Sequence, residues 1–182
     1  MEKPTTPTQQ TNTRTGQGQQ QRPGGSRRQK KITEYGSQLQ EKQRLRNNYG
    51  MREKQFRRYF ELASKFRGQT GRALLEQLER RLDNVLFRAG VASSRAHARQ
   101  LVSHKHFRVN GKRVNVASLT VSDGDVIEPV KKADLTIRPE AGEYTWILVD
   151  KKTFTIKIQG SPAESDLPIE FDTQKVIEFY SR

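Results

Sequence analysis

The chain has 182 residues, enough for one domain or two small ones, and its 34 Lys and Arg against 20 Asp and Glu give a formal net charge of +14. Such an excess attracts polyanions, so a nucleic acid is favoured as the partner over an anionic membrane surface. The lack of cysteine excludes disulfides, thiolate metal sites and cysteine nucleophiles, and no stretch approaches the ~18 apolar residues of a membrane span.

The first 31 residues are predicted to be a disordered tail. No aliphatic or aromatic residue lies between Met1 and Ile32, and Gln, Thr, Pro and Gly predominate. Such a segment cannot bury enough apolar surface to offset the entropy of ordering, and it lacks the apolar core of a secretory signal. Its basic end suits contact with phosphate, although a merely solvated tail is the alternative. The basic residues are Arg27, Arg28, Lys30 and Lys31.

Helices are predicted from residue 32 onward. Ser37 and Gln40 form a capping-box pattern, which predicts a helix start, and Gly50 stands where that helix should end. A second helix is predicted from Arg52 to Phe66, and the helical spacing of its aromatic residues favours a core role over stacking on bases.

The next predicted element is one amphipathic stretch. Its apolar residues recur at three- and four-residue spacing from Leu74 to Leu86, and it is expected to end near Gly90. Residues 22–72 carry 15 Lys and Arg but only 4 Asp and Glu, so most of the positive excess lies in about a third of the chain. The arginines between the aromatic residues are therefore predicted to be exposed.

The middle of the chain is predicted to form a small α+β module. Ser93 or Ser94 is expected to cap a helix that extends to about residue 104. Asn110 and Gly111 between alternating apolar residues give the strongest short signal for a β-hairpin. After the turn sequence "SDGD", a further strand is expected at Val126–Ile127.

The rest of the chain is predicted to supply two antiparallel strands and a final helix. Residues alternate in "YTWILVDKKTFTIKI", with a turn at Asp150–Lys152 and Trp146 as a packing anchor. The final helix is expected to be capped by Asp172 or Thr173.

A strip of positive charge lies on the predicted helix of the module. Arg95 and Arg99 fall on one side of it, close to His106, when residues advance by 100°. Like charges at this spacing weaken an isolated helix by about 0.2–0.5 kcal/mol, so an anionic partner is expected to compensate them. The planar fork of arginine donors suits phosphate oxygens and stacking on bases. The strip continues into the hairpin with Lys105, Arg108, Lys112 and Arg113.

The partner is therefore predicted to be RNA or DNA. A B-DNA reader places one helix in a major groove, often as a dimer on half-sites. Here the donors are spread over a helix, a hairpin and the remote segments "RRQKK" and "EKQRLRNN". Such scattered contacts favour an irregularly folded RNA, whose shape and backbone predominate in recognition.

A long string in the middle of the chain closely resembles the RNA-binding domain of the S4 family of small-subunit ribosomal proteins. The string is "RLDNVLFRAGVASSRAHARQLVSHKHFRVNGKRVNVAS". That domain also occurs in pseudouridine synthases and some tRNA synthetases. The segments "YGSQLQEKQRLRNNYGMREKQFRRYF" and "VIEFYSR" resemble the bacterial ribosomal members themselves, so the resemblance covers about residues 22–182.

The resemblance implies a fold and a function. The expected α+β architecture is a helical domain of residues 32–80 completed by residues 140–182, C-terminal strands included, with an RNA-binding module of residues 81–139 inserted and a disordered tail over residues 1–31. Members bind the large RNA of the small subunit directly, nucleate assembly of the subunit body and contribute to translational accuracy. The expected partners are small-subunit rRNA, the neighbouring S5 ribosomal protein and messenger RNA near its entry channel, in the cytoplasm.

Matching positions imply which residues contact RNA. In the module and the helical part they are Arg95, Arg99, Ser103, His104, Lys105, Asn110, Lys112, Arg113, Arg44, Arg46, Arg52, Arg57 and Arg58, with Arg28 and Lys31 near the messenger path. Some bacterial members carry a cysteine zinc knot near the N-terminus, which the Gln- and Thr-rich tail replaces, so neither zinc nor another cofactor is expected. Gln29 stands where relatives tend to have a basic residue.

No enzyme is predicted. The P-loop and H-E-x-x-H patterns are absent, and His97, His104 and His106 lack Cys or carboxylates at ligand spacing. Asp123 and Asp125 belong to a turn sequence, and no length remains for the catalytic domain of a pseudouridine synthase. No membrane or small-molecule substrate is expected. The alternative function is a free RNA-binding factor, in ribosome rescue or regulation, that uses the same module.

Overall fold

The computed structural model describes residues 33–66, 68–131 and 142–181, all of them within one compact unit. The predicted α+β class is confirmed, because helices and an antiparallel sheet form from largely separate stretches of the described chain. No described helix is long and apolar enough to cross a membrane. The predicted tail, including Arg28 and Lys31, lies outside the described residues.

Five helices come first along the described chain, five strands follow them, and a sixth helix ends it. The helices are α1 (Glu34–Asn48), α2 (Glu53–Ala63), α3 (Thr70–Glu79), α4 (Leu82–Arg88), α5 (Arg95–Ser103) and α6 (Thr173–Tyr180). The strands are β1 (Phe107–Val109), β2 (Lys112–Arg113), β3 (Val126–Pro129), β4 (Ile147–Asp150) and β5 (Thr155–Ile158), and a 3₁₀ turn spans Glu164–Asp166.

Helix α1 begins earlier than the capping-box pattern predicts. Thr33 is the N-cap, since its backbone is extended and its hydroxyl accepts a 3.2 Å hydrogen bond from the Gly36 amide. The predicted start at Ser37 and Gln40 is therefore wrong, because Thr33 already satisfies a donor of the first turn. Gly50 follows the helix end with φ of +56°, as predicted.

The predicted single amphipathic stretch is two helices, α3 and α4. Arg81 separates them in an extended conformation and forms an isolated β-bridge with Thr120. The Leu82 amide also donates to the Leu119 carbonyl at 2.8 Å. The interruption arises from pairing with a distant segment, which the spacing of leucines does not reveal.

The predicted helix cap and hairpin of the module are confirmed. Ser94 caps α5, and its hydroxyl oxygen accepts a hydrogen bond from the His97 amide at 3.1 Å. Asn110 and Gly111 join β1 to β2 with φ of +49° and +77°. A type I′ turn requires positive φ at both central residues, which Asn and Gly tolerate best.

The described strands form one antiparallel sheet in the order β2-β1-β3-β5-β4. Strand β3 pairs with β5, which sets Val126 opposite Lys157 and Ile127 opposite Ile156. The two C-terminal strands therefore extend the sheet of the module, whereas the sequence predicts them in the helical part. Ile156 and Ile158 explain the difference, because both are buried in the core beneath the module strands. The predicted domain boundaries themselves stay a prediction.

Two apolar cores hold the elements together. The module core includes Leu82, Leu86, Phe107, Ile127 and the predicted anchor Trp146. The helical core includes Leu45, Phe56, Leu74, Leu78 and Val176. Helix α6 packs on α1 and α3, and the Tyr180 ring stacks on Phe60 at 4.4 Å, so the C-terminal helix completes the helical core as predicted.

Candidate nucleic-acid interface

Four basic side chains around the β1–β2 hairpin are exposed, and none has an ion-pair partner among the described residues. They are Lys105, Arg108, Lys112 and Arg113. Arg108 and Arg113 are direct Cα partners across the two strands, and on its other side Arg108 lies opposite Glu128 of β3 without forming an ion pair with it. Like charges in this position destabilise a sheet, and an anion that lies along the hairpin would remove this cost.

The end of α5 carries a conformation that favours glycine. Lys105 has φ of +61°, and its amide donates to the Val102 carbonyl at 2.8 Å. A side chain in this left-handed region costs about 1–3 kcal/mol. The reversal leaves Ser103, His104 and Lys105 exposed at one corner of the module. These three predicted site residues are therefore brought together.

Two predicted site residues of the module also have partners within it. The Asn110 side chain donates to Asp125 at 2.7 Å and accepts from the Val126 amide at 2.9 Å, which fastens the hairpin turn to β3. The Ser103 hydroxyl donates to the Arg99 carbonyl at 2.8 Å. Both side chains are exposed, and their contact with RNA stays a prediction.

The predicted arginines of α2 differ in their surroundings. Arg52 and Arg58 are exposed and have no ion-pair partner within the described segments. Arg57 is also exposed but pairs with Glu61 one turn later, at 3.1 Å. Exposed pairs of this kind are weak, so the Arg57 guanidinium can exchange this partner for a phosphate.

The predicted arginines of α1 have carboxylate neighbours. Arg44 lies 3.7 Å from Glu41 and 3.9 Å from Glu170 and stays exposed. Arg46 donates to Glu53 at 3.0 Å and is only a quarter exposed. Arg46 therefore has the weaker claim to an external anion.

Sequence reasoning missed three exposed cations of the helical part. Lys54, Lys65 and Arg72 are exposed and have no ion-pair partner in the part of the chain that the structure describes. A count would have found them, because residues 52–72 hold seven Lys and Arg and only two carboxylates. Two carboxylates cannot pair with seven cations, so the count predicts that some of these cations have no acid within their own segment.

Arg99 has partners within the chain. Its guanidinium lies 2.9 Å from the buried carboxylate of Asp83, and it donates to the carbonyls of Tyr49 and Gly50 at 3.1 and 3.0 Å. The interpretation that an outside anion must compensate this arginine is therefore wrong. His106 lies beyond the end of α5, so its predicted place on the same helix face is wrong as well.

Arg95 is held between two rings. Its guanidinium lies 4.8 Å from the Tyr49 ring and 4.7 Å from the Phe87 ring, distances typical of cation–π contact. It also donates to the side-chain oxygens of Asn84 and Asn48 at 2.8 and 2.7 Å. Burial lowers the pKa of Arg95 below its ordinary value.

A buried carboxylate joins the helices around these arginines. Glu79, at the end of α3, is 1% exposed and accepts hydrogen bonds from the Tyr49 hydroxyl, Arg88 and Asn84. Burial, and then the Glu79 charge, raise the pKa of Tyr49 well above its ordinary value. Arg88 also donates to the Tyr144 hydroxyl at 2.7 Å. This network joins α3 and α4 to Tyr49 and Tyr144, and no sequence pattern predicted it.

A second buried pair lies at the start of α4. Arg81 and Asp83 are 2% and 1% exposed, and Arg81 Nη2 lies 2.7 Å from the Asp83 carboxylate. Arg81 also donates to the Tyr59 hydroxyl at 3.1 Å, so the pair links α2 to the module. Within the described residues, no group of three or more His, Cys, Asp or Glu is arranged to hold a metal ion.

Two sequence families match successive parts of the chain. Residues 3–79 match the family described as "Ribosomal protein S4/S9 N-terminal domain". Residues 80–127, which include the hairpin and the buried Arg81–Asp83 pair, match the "S4 domain".

The chain is also similar to proteins named small ribosomal subunit protein uS4. It is 47% identical over 167 residues to that of a Sulfurihydrogenibium species, over 87% of this chain and 82% of the relative. It is 45% identical over 162 residues to that of Dictyoglomus turgidum, over 86% and 79% respectively. For Chlorobium limicola the identity is 45% over 166 residues, which cover 87% and 82%.

Proposed function

Because the chain belongs to the ribosomal protein S4 family, we propose that it is a structural component of the small ribosomal subunit and binds the RNA of that subunit directly. The observation that carries the proposal is the exposed, unpaired set of cations around the hairpin. Arg108 lies opposite Arg113 on one side and opposite Glu128 on the other, so the hairpin keeps an excess of positive charge that a phosphate backbone would neutralise.

The RNA is proposed to contact two basic surfaces. The hairpin surface consists of Lys105, Arg108, Lys112 and Arg113 together with the neighbouring Ser103, His104 and Asn110. The helical surface is defined as the exposed cations Arg52, Lys54, Arg57, Arg58, Lys65 and Arg72, and the exposed Arg44 of α1 is included with it. Together they supply enough cations for the six to ten phosphate contacts of a strongly salt-dependent complex.

Family membership supports finer proposals. We propose that the protein nucleates assembly of the subunit body, adjoins the S5 ribosomal protein and contributes to translational accuracy. The basic end of the tail, Arg28 and Lys31, is proposed to lie near the path of messenger RNA. Site-directed crosslinking from each of these two positions within whole subunits tests the last proposal, and crosslinks to ribosomal RNA alone would reject it.

Binding to RNA is tested with purified protein and small-subunit rRNA. Affinity should fall by about 10³ to 10⁵ between 50 and 200 mM salt, by the scale for double-stranded DNA. Arg113→Gln should weaken binding and reduce the salt slope by about one contact. Lys151→Gln removes the same charge near the opposite edge of the sheet and serves as the control. Equal affinity for unrelated RNA of the same length would contradict a specific site.

Fractionation distinguishes a ribosomal component from a free RNA-binding factor. A structural component should remain with small subunits at one copy per subunit after a salt wash. A rescue or regulatory factor would be substoichiometric and would wash off. Subunits that lack the protein after such a wash would overturn the proposal.

A further inference from the structure

We propose that Arg95 and Arg99 are positioning residues, which hold the RNA-binding module on the end of α1 in the orientation in which both basic surfaces meet one RNA. The expected effect on RNA binding rests on the proposed function, whereas the fixed orientation of the module is a property of the free protein. It reassigns two residues that the family resemblance places among the RNA contacts.

Arg99 joins the two parts of the molecule through three acceptors. Its guanidinium belongs to α5 in the module, and the carbonyls of Tyr49 and Gly50 lie just beyond the C-terminal end of α1. A cation at this end of a helix satisfies carbonyls that have no partner within the helix and interacts favourably with its dipole. The Asp83 carboxylate fixes the guanidinium from the other side.

Arg95 joins the same two parts one turn earlier in α5. The Tyr49 ring and Asn48 Oδ1 come from the end of α1, and the Phe87 ring and Asn84 Oδ1 come from α4. Two of the three guanidinium nitrogens donate to these amide oxygens, and both ring faces lie at cation–π distance. Little of this side chain is left to meet a polyanion.

The two arginines differ from the hairpin cations in this respect. Lys105 and Lys112 are exposed and have no ion-pair partner among the described residues. The Arg99 side chain is 35% exposed, but it directs four of its five N–H donors to Asp83 and two carbonyls, and it would have to leave these partners to bind a phosphate with more than its one remaining donor. Leaving would strand a nearly fully buried carboxylate with Arg81 as its remaining cation. The geometry therefore favours a fixed clamp between the module and α1 over a pair of RNA ligands.

A fixed orientation has a defined effect on binding. When two surfaces of one protein bind one RNA, the second contact is intramolecular, and its strength depends on how often the surfaces are correctly placed. A clamp removes the cost of ordering them at the moment of binding. Loss of the clamp should therefore lower the affinity for RNA without changing the number of phosphate contacts in the complex.

The orientation is measured in the free protein. The chain has no cysteine, so each introduced cysteine takes one spin label. The labelled positions are Gln43→Cys in α1 and Gln100→Cys in α5, both of which are exposed. The double-label distance should be narrowly distributed in the parent protein and broader with Arg99→Ala. Lys112→Ala removes an equal charge without a clamp contact and should leave the distribution unchanged. A narrow, unshifted distribution in an Arg95→Ala/Arg99→Ala variant would overturn the proposal.

Arg99→Lys guards against a variant that fails to fold. Lysine keeps the charge, but one ammonium cannot reach a carboxylate and two carbonyls at once. If Arg99 is a positioning residue, Arg99→Lys should broaden the distance distribution and weaken RNA binding about tenfold, at an unchanged salt slope. A direct phosphate contact instead predicts near-normal binding for Arg99→Lys and a slope lower by about one contact for Arg99→Ala. If the parent protein fails to bind rRNA, the proposed function fails, and the distance measurement still decides whether the clamp exists.

Discussion

The carboxylate of Asp83 lies within 2.9 Å of Arg99 and within 2.7 Å of Arg81, so one buried acid joins two arginines that are 18 residues apart in the chain. Arg81 reaches on to α2 through Tyr59, and Arg99 reaches the end of α1. The start of α4 is thus the point at which the helical part and the module are tied together.

Removal of the buried Glu79 carboxylate should strongly destabilise the protein. Glu79→Ala leaves Arg88 partly buried without its ion-pair partner, and the expected loss of unfolding free energy is about 3–5 kcal/mol. Urea unfolding measures it. The control is Glu61→Ala, which breaks an exposed pair with Arg57 and should cost less than about 1 kcal/mol. Equal losses in the two variants would contradict a structural role for the network.

Lys105→Gly should separate stability from RNA binding. Glycine adopts the φ of +61° without strain, which offsets its greater entropy in the unfolded chain, so thermal unfolding should occur at the same or a higher temperature. Loss of the exposed ammonium should weaken binding to small-subunit rRNA and lower the salt slope by about one contact. A folded, equally stable variant that binds the rRNA with full affinity would show that Lys105 is not an RNA contact.

Gly71→Ala should loosen the packing of α6. A Cβ at this buried position of α3 would lie 2.8 Å from the Thr173 Cβ and 2.5 Å from its Oγ1, so the start of α6 must shift. Overpacking of this kind costs about 1–3 kcal/mol, and the better helix propensity of alanine offsets part of it. Thermal unfolding checks the prediction, with the exposed Arg72→Ala on the same helix as control. An unchanged melting temperature for Gly71→Ala would mean that α6 does not pack closely here.

Part of the acid sensitivity of the fold should depend on Glu53. Burial alone raises the pKa of this carboxyl, but hydrogen bonds from Lys42 and Tyr180 lower it below its ordinary value of 4.5. Since the folded pKa lies below the unfolded one, this stabilisation is present above the unfolded value. It is lost as the pH falls through the folded value.

The measurement is the urea midpoint between pH 7 and pH 3. Glu53→Gln should be less stable near neutrality, and the gap between its curve and that of the parent should close as the medium is acidified. The exposed Glu61→Gln provides the comparison. A gap that stays constant over the whole range would show that the carboxylate contributes no charge-dependent stabilisation.

Local signals were sufficient for the elements that depend on their own residues. Ser94 and the Asn110-Gly111 pair determine a helix start and a turn through contacts within a few residues, and both predictions are confirmed. The predicted start of α1 was wrong because Thr33 and Ser37 are chemically similar N-cap residues, and their spacing to other residues does not show which of them caps the helix.

Features that depend on distant segments could not be predicted in the same way. The break before α4 requires Thr120, and the place of β5 in the sheet requires β3. The partners of Arg99 come together only when α1, α4 and α5 meet. Its spacing to Arg95 therefore predicted repulsion between the two guanidinium groups but not the carboxylate and carbonyls that compensate it. The exposed cations of the hairpin, in contrast, were predictable because Lys105, Arg108, Lys112 and Arg113 follow one another along the chain without an acid between them, although Glu128 of β3 lies opposite Arg108 in the sheet.

The pairing of β3 with β5 has a consequence for the newly made chain. Strands β1 to β3 emerge first, but the sheet lacks two strands and its core lacks Trp146, Ile156 and Ile158 until residues 146–158 have been translated. The helical core waits longer still, for α6. A chain translated as far as residue 158 already carries 32 of its 34 Lys and Arg, so nearly all of the positive charge is in place before the helical core can be completed.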